Sequence, residues 1–565
     1  MPTHTADLIE AARAWARADP DPETAAELTA LLDAAAGAPD GPAAGELADR
    51  FAGRLAFGTA GLRGELGAGP NRMNRVVVTQ AAAGLVAYLR DHPVDDQLGV
   101  VIGFDARHNS EVFARDTAEV VAGAGIPAYV LPRPLPTPVL AYSIRHLGCA
   151  AGVMVTASHN PPRDNGYKVY LGDGSQIVPP VDATIAAEID AVAARRLSEI
   201  PRARAYDALG DEVLGCYVEA VAALADPHGQ RDLVIAHTSL HGVGAEVVRL
   251  VLERTGFGPA HEADNQAEPD PDFPTVAFPN PEEPGAVDEV LATARQVGAD
   301  LVVAHDPDAD RCAVAVPGPQ GWQLLHGDQV GALLADHLLR HGVQGTYATT
   351  IVSSTLLRKL AAAHHQPYAE VLTGFKWIGR VPGLAYGYEE ALGYAVAPHI
   401  AADKDGLSAM VRVCELAADL KATGSTLLDR LEELAVEHGL HATDQLSVRV
   451  TDLSLIAAAM ARFRSAPPRS LGGLAVVGVD DLAAGSAELP PTDGLRFRLA
   501  EGTRVVVRPS GTEPKLKCYL EVVVPVDTGV LDSAGQAHAV AAARISAAGR
   551  LDAIRGDLAA MIDAG

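Results

Sequence analysis

Two hydrophobic periods divide the chain. Between residues 5 and 55, Leu8, Ile9, Ala12 and Trp15 recur at helical spacing, and Leu28, Leu31 and Leu32 follow. This predicts a helical extension over residues 1–55. Further on, short apolar runs stand where strands would: Val100–Phe104, Gly152–Val155, Leu233–Ala236 and Leu301–Ala304. Helical patterns such as Ser110–Ala124 and Ala245–Thr255 lie between them. Continuously apolar strands separated by helices predict βαβ units and a mostly parallel or mixed sheet. After about residue 440, Leu495, Phe497 and Leu499 alternate with arginines, and Arg504–Arg508 and Lys517–Val524 read as antiparallel strands. That last region is α+β.

At 565 residues the chain is too long for one hydrophobic core. The charged, Pro-containing stretch Arg195–Tyr206 precedes a predicted helix at 211–225, the acidic, Pro-rich stretch Glu268–Pro284 reads as an exposed loop, and Pro317–Gly321 reads as a hairpin turn. These breaks predict an extension at 1–55, α/β domains at 56–210, 211–322 and 323–440, and an α+β domain at 441–565. No internal repeat is visible in residue identity.

A net charge of −27 argues against nucleic acid and anionic membranes as general partners. It also makes any anion-binding site conspicuous, because Arg and Lys must be concentrated there. Met1–Pro20 has acidic residues and no apolar h-region, and the apolar run Val76–Leu89 is broken by Thr79 and Gln80. The five cysteines are scattered, with no CxxC spacing, which fits reduced thiols and a cytoplasmic location. Oligomeric state is left open by the sequence.

The chemistry concentrates in a few segments. Thr156-Ala-Ser158-His159-Asn160-Pro-Pro162 places a hydroxyl in a Pro-terminated loop after the apolar run Ala151–Val155, at the strand edge where α/β sheets carry their chemistry. Successive side chains of extended backbone point to opposite sides, so a Ser158–His159 dyad is not expected. His159 and Asn160 either shape this loop or touch substrate. Asp306-Pro-Asp308-Ala-Asp310-Arg311 gathers three carboxylates that repel unless a cation holds them, so hard-metal coordination is the physical default. Arg311 replaces the glycine an EF-hand requires, which excludes that motif.

Arg63 follows a Gly-rich turn, Gly58–Gly61, that lets backbone approach a phosphate. Lys168, just past the serine loop, is a candidate general acid–base whose pKa neighbouring cations would lower. Arg508-Pro-Ser510-Gly511-Thr512 offers a guanidinium fork, two hydroxyls and a freed amide, with Lys515 and Lys517 adding charge. That set suits a phosphate.

With Phe57-Gly-Thr-Ala-Gly-Leu-Arg63-Gly64 and Gly387-Tyr-Glu389-Glu390-Ala-Leu-Gly393, these segments stand in an order that resembles the α-D-phosphohexomutase family, from about Phe57 to Val524. The resemblance implies three similar mixed-sheet α/β domains and a smaller C-terminal α+β domain around a central cleft. It implies a phosphoserine at Ser158, with Mg²⁺ held by Asp306, Asp308, Asp310 and an oxygen on Ser158, and a sugar bisphosphate such as glucose 1,6-bisphosphate as intermediate. It places Thr373, Lys376, Lys404, Arg311 and Lys517 near substrate, and assigns Glu389 and Glu390 to the sugar hydroxyls. Many phosphoglucomutases carry Ser two residues after the first Glu; this chain has Ala391.

The reaction implied is glucose 1-phosphate to glucose 6-phosphate, with phosphopentomutase and then phosphomannomutase as alternatives. A phosphohydrolase could use the aspartates alone, but it needs neither a separate sugar loop nor a reversible phosphate grip. A non-catalytic sensor would need neither Ser158 nor the three aspartates.

Overall fold

The computed structural model describes residues 5–58, 61–93, 99–450, 453–510, 515–527, 529 and 533–563. The chain forms two compact units. The first comprises Met1–Pro317, Gly321–Leu324 and Ala397–Glu415, and the second Gly318–Gln320, Leu325–Val396 and Leu416–Gly565. Ala397–Glu415, within the predicted third domain, packs into the first unit.

The extension folds as helices Thr5–Ala18, Pro22–Gly37 and Pro42–Arg50. The carboxylate of Asp21 caps the second helix by accepting from the Glu23 amide. Ala12, Leu28, Leu47 and Phe51 bury their common face.

Four-stranded cores then recur three times with one topology. In the first unit, Val100–Phe104 lies between the parallel strands Ala128–Val130 and Ala151–Val155, and Asp164–Leu171 pairs antiparallel with the latter. Ile235–Thr238, His261–Glu262, Leu301–Ala304 and Ala313–Gly318 repeat this arrangement. In the second unit Thr346–Thr350, Tyr368–Val371, Leu384–Glu389 and Gly393–Ala395 repeat it again. Numbering the strands of each core in chain order, the spatial order is 2-1-3-4 every time. The repeat is one of hydrogen bonding, not of residue identity, which is why it is invisible in the sequence.

The connection between the third and fourth strands holds residues that the sequence singles out in all three cores. It holds Ser158 in the first, Asp306–Asp310 in the second and Glu390 in the third. Each of these connections contains a non-glycine residue in the left-handed region: Ser158 at φ 51°, Ala309 at φ 51° and Leu392 at φ 63°. Such conformations cost on the order of 1 kcal/mol and persist where surroundings over-determine them.

One strand departs from expectation. The apolar run is Leu233–Ala236, but the strand is Ile235–Thr238. The Val234 amide donates to the Asp300 carboxylate at 2.8 Å, which ends the ladder there. The strand instead runs into His237 and Thr238, both fully buried. His237 is satisfied by Glu262 at 2.8 Å and His305 at 2.8 Å, so its polarity does not exclude it from the core.

The C-terminal region is an antiparallel sheet. In spatial order its described strands are Leu440–Arg449, Lys515–Val524, Arg504–Pro509, Leu495–Leu499, Leu474–Asp481 and Ser470–Leu471. Helices Leu453–Ser465 and Ser533–Asp563 cover one face, where Val505, Val507, Cys518 and Leu520 meet Phe463, Leu551 and Ile554. Val506 and Tyr519, on the other face, pack against Ile351, Val352 and Leu372 of the preceding α/β core.

Candidate functional site

The serine loop is built by backbone conformation and one buried arginine. Thr156 Oγ1 accepts from the Ser158 amide at 2.8 Å, tightening the turn. The Arg107 guanidinium donates to the carbonyls of Ser158 (2.5 Å), Asn160 (2.6 Å), Pro161 (2.9 Å) and Asp164 (3.2 Å). Asp105 sits 3.4 Å behind it. One fork thus satisfies carbonyls that the irregular loop leaves without a ladder.

The left-handed φ at Ser158 corrects the expectation for its neighbour. The backbone is not extended there, so His159 Nδ1 reaches Ser158 Oγ at 3.2 Å. Burial, then Arg311 and Arg63, hold His159 well below the usual imidazole range, so it is neutral near pH 7.

Ser158 Oγ donates to Asp306 Oδ2 at 2.6 Å. Asp306, Asp308 and Asp310 are all fully buried, and ligand oxygens from the three lie within 4.8 Å of one another. Burial and the charges of Asp310 and Asp308 push Asp306 well above the usual carboxylate range. Asp308 is held far below that range in spite of its burial, because Lys168 and Thr137 bond to it. Lys168 Nζ donates to Asp308 Oδ2 at 2.6 Å and Asp310 Oδ2 at 2.9 Å, while Thr137 Oγ1 donates to Asp308 Oδ2 at 2.6 Å. Lys404 Nζ lies 3.1 Å from Asp310 Oδ2.

The opposite oxygens, Asp308 Oδ1 and Asp310 Oδ1, are buried and have no hydrogen-bond partner among the described residues. Two orphaned anionic oxygens beside a serine hydroxyl fit a hard divalent cation. The structure thus brings Ser158 Oγ and the three aspartates together.

Lys168 departs from its expected electrostatics. Burial would lower its pKa, but Asp308 and Asp310 outweigh it and hold the ammonium above its ordinary value. Its neighbours are mainly carboxylates rather than the cations the sequence suggested. Arg63 Nη1 donates to Asn160 Oδ1 at 3.3 Å. Gly61, at φ 74°, lies so close to the strand of Lys168 that a Cβ would stand 1.8 Å from the Tyr167 carbonyl oxygen. Arg311 Nε is 3.8 Å from Asp306 Oδ2.

Within the second unit, Glu389, Glu390 and Arg508 lie around Tyr519, where the third α/β core meets the C-terminal sheet. Glu390 Oε2 accepts from Ser353 Oγ at 2.9 Å and Thr350 Oγ1 at 3.3 Å, and burial, then Asp328, raise its pKa. Arg508 stands opposite Lys517 on paired strands. Both Glu389 and Glu390, with Arg508, lie near enough to act on the buried Tyr519 hydroxyl. Lys376, in the short helix Phe375–Ile378, has its ammonium 6.0 Å from the Trp377 ring, which packs on the same core as Tyr519. Thr373 lies just before that helix. The Ser510 amide donates to the Lys515 carbonyl at 2.8 Å. Gly511 and Thr512 lie outside the described residues.

Sequence reasoning missed Arg107, Thr137 and Thr156. Arg107 follows a strand by three residues within Asp105-Ala-Arg107, a pattern that reads as an ordinary ion pair. Only the tertiary fold shows its four carbonyl contacts.

Comparison with known proteins agrees along most of the chain. Residues 54–196, 216–320 and 326–435 match the phosphoglucomutase/phosphomannomutase alpha/beta/alpha domains I, II and III, and 446–527 match the C-terminal domain. A probable phosphomannomutase of Haemophilus influenzae is 49% identical over 80% of this chain and 93% of its own. A mouse phosphopentomutase is 35% identical over 90% and 89%. A Staphylococcus aureus phosphoglucomutase is 32% identical over 85% and 92%. Four matched domains in order, relatives of this likeness and a serine set against three buried aspartates assign the chain to the phosphoglucomutase/phosphomannomutase family, the α-D-phosphohexomutases, a family of intramolecular phosphotransferases.

Proposed function

We propose that the chain interconverts glucose 1-phosphate and glucose 6-phosphate through phosphoserine 158 and a bound glucose 1,6-bisphosphate. The observation that carries this reading is the 2.6 Å bond from Ser158 Oγ to Asp306, beside two buried carboxylate oxygens that have no hydrogen-bond partner among the described residues. A divalent cation, Mg²⁺ by its hardness, would be held by Asp306, Asp308, Asp310 and a Ser158 oxygen, and would withdraw charge from the phosphoryl group during transfer.

The sugar hydroxyl forms a new P–O bond as the P–Oγ bond breaks, and its proton ends on Ser158 Oγ. Neutral His159, 3.2 Å from that oxygen, is able to relay a proton there. Lys168, held protonated, is placed to give a proton to the sugar oxygen in the direction in which that oxygen leaves phosphorus. Arg63, Arg311 and Lys404 offset the phosphoryl charge. Arg508 and Lys517, with Ser510, Gly511 and Thr512, grip the phosphate that is not being transferred. Glu389 and Glu390 receive sugar hydroxyls, and Thr373 and Lys376 line their approach. The five unpaired thiols and a sugar-phosphate substrate fit a cytoplasmic enzyme. No helix among the described residues is long and apolar enough to cross a membrane.

A second reading rests on Ala391, which supplies no hydroxyl to the sugar loop, together with the likeness to a phosphopentomutase. On that reading ribose 1-phosphate is preferred.

Peptide mass spectrometry should find phosphate on Ser158 in the purified protein and none in Ser158→Ala. Glucose, mannose and ribose 1-phosphates assayed side by side should rank glucose first. A fully active Ser158→Ala protein would overturn the covalent mechanism.

A further inference from the structure

Buried polar contacts between the third α/β core and the C-terminal sheet concentrate on the turn that holds Ser353. Arg504, 7% exposed, donates through Nε to Glu521 Oε2 at 2.8 Å, through Nη1 to the Ile351 carbonyl at 3.2 Å, and through Nη2 to the Ser353 carbonyl. Glu521 Oε1 accepts from Ser354 Oγ at 2.8 Å and from the Thr355 amide at 2.7 Å. The turn after strand Thr346–Thr350 is thus fixed to the C-terminal sheet from both sides. Ser353 is fully buried, and its hydroxyl donates to Glu390 Oε2 at 2.9 Å. Its carbonyl therefore receives the sheet while its hydroxyl holds the sugar loop.

Arg504 and Arg508 lie on one strand with one facing, four residues apart, a span of about 13 Å. One end of this strand is fastened to Ser353 and the other presents the phosphate grip. We propose that Ser353 is a positioning residue that sets the span between the sugar loop and the Arg508 phosphate loop, and through it selects between hexose and pentose phosphates. These differ by one carbon along that span. The inference rests on the roles assigned above to Glu389 and Arg508. A loose Glu390 would let the sugar loop settle at either span, whereas a fixed one admits one length. Substitution at Ser353 should therefore change selectivity more than overall activity.

The test compares kcat and KM for glucose 1-phosphate and ribose 1-phosphate, with glucose 1,6-bisphosphate as phosphoryl donor. Ser353→Ala should lower the ratio of the two kcat/KM values on the order of tenfold, and Glu390→Gln should add little further change to it, since both disturb the bonds between Ser353 and Glu390. Arg504→Lys, which retains the charge but cannot fork to two carbonyls, should move the ratio the same way. Thermal unfolding midpoints check that each variant is folded. Equal proportional losses for both sugars, or additive effects of Ser353→Ala and Glu390→Gln, would overturn the proposal. Glu389→Gln separates this failure from that of the underlying reading. If KM for both sugars ignores that change, the sugar loop itself is misassigned; if KM responds while Ser353→Ala leaves the ratio alone, only the span-setting role falls.

Discussion

Arg508 and Lys517 stand directly opposite one another on adjacent antiparallel strands, two cations in one cross-strand pair. Four residues back along the same ladder, Arg504 pairs with Glu521 and the charges cancel. Like charges directly opposite destabilise a sheet by a few tenths to about 1 kcal/mol, and such a pair suits the phosphate grip proposed above. Lys517→Met should hold or slightly raise stability at low salt while increasing KM for sugar monophosphates severalfold. Arg508→Ala should cost about 2–4 kcal/mol in kcat/KM. Parallel denaturation curves and steady-state kinetics check both; an unchanged KM in Arg508→Ala would mean the strand end is structural.

Chelation should silence the enzyme. Asp308→Asn removes one ligand charge from three crowded carboxylates, and turnover should fall by orders of magnitude together with divalent-cation affinity. Equilibrium dialysis with Mg²⁺ and activity after EDTA treatment provide independent readouts. Full activity after thorough chelation would reject the site.

Glu521 makes part of the stability pH-dependent. Its carboxyl is buried, yet Arg504, then His441, hold it down from an ordinary 4.5 to about 2. A depressed carboxylate contributes stability that is complete above about pH 4.5 and is lost as pH falls through about 2. The shift corresponds to something on the order of 3 kcal/mol. Urea midpoints of wild type and Glu521→Gln should therefore differ most near neutrality and converge by about pH 2. A difference independent of pH would show that the ionised form is not what matters.

Arg107→Lys should damage the serine loop without touching substrate. A lysine cannot serve four carbonyls in a plane, and each charged-group bond lost is worth about 1.5–3 kcal/mol. Phosphate stoichiometry at Ser158, measured after incubation with glucose 1,6-bisphosphate, should fall well below that of wild type. Normal stoichiometry would reduce Arg107 to a packing role.

How much of the site is legible in the sequence follows from how local each signal is. The aspartate loop is readable because three carboxylates within five residues repel one another unless a cation sits among them. Ser158 is readable because a strand leads directly into it. The reach of His159 is not, since it depends on one φ angle that no residue pattern announces. The sign of the Lys168 shift depends on Asp308 and Asp310, which lie 140 and 142 positions away. The threefold topology escapes because hydrogen-bond order leaves no trace in residue identity. The part played by Ser353 likewise exists only once strand Arg504–Pro509 is seated against its carbonyl.

The return of Ala397–Glu415 to the first unit has a consequence for synthesis. Gly406 seats so closely on the aspartate loop that a Cβ would stand 2.3 Å from the Arg311 carbonyl oxygen, and its own carbonyl is bonded by His305, 101 positions earlier. The nascent chain thus exposes three aspartates and their neighbours while the whole third core is still being made. At about 5–20 residues per second, that interval lasts several seconds to tens of seconds. During it, the acidic loop lacks Lys404 and the cover of Gly406, and closing so long a loop is slow. A chain released before residue 404 would carry all three aspartates of the loop and the serine, yet leave the charge of Asp310 partly uncompensated. Ribosome-bound fragments ending on either side of this segment would show the first unit gaining protease resistance only after it emerges.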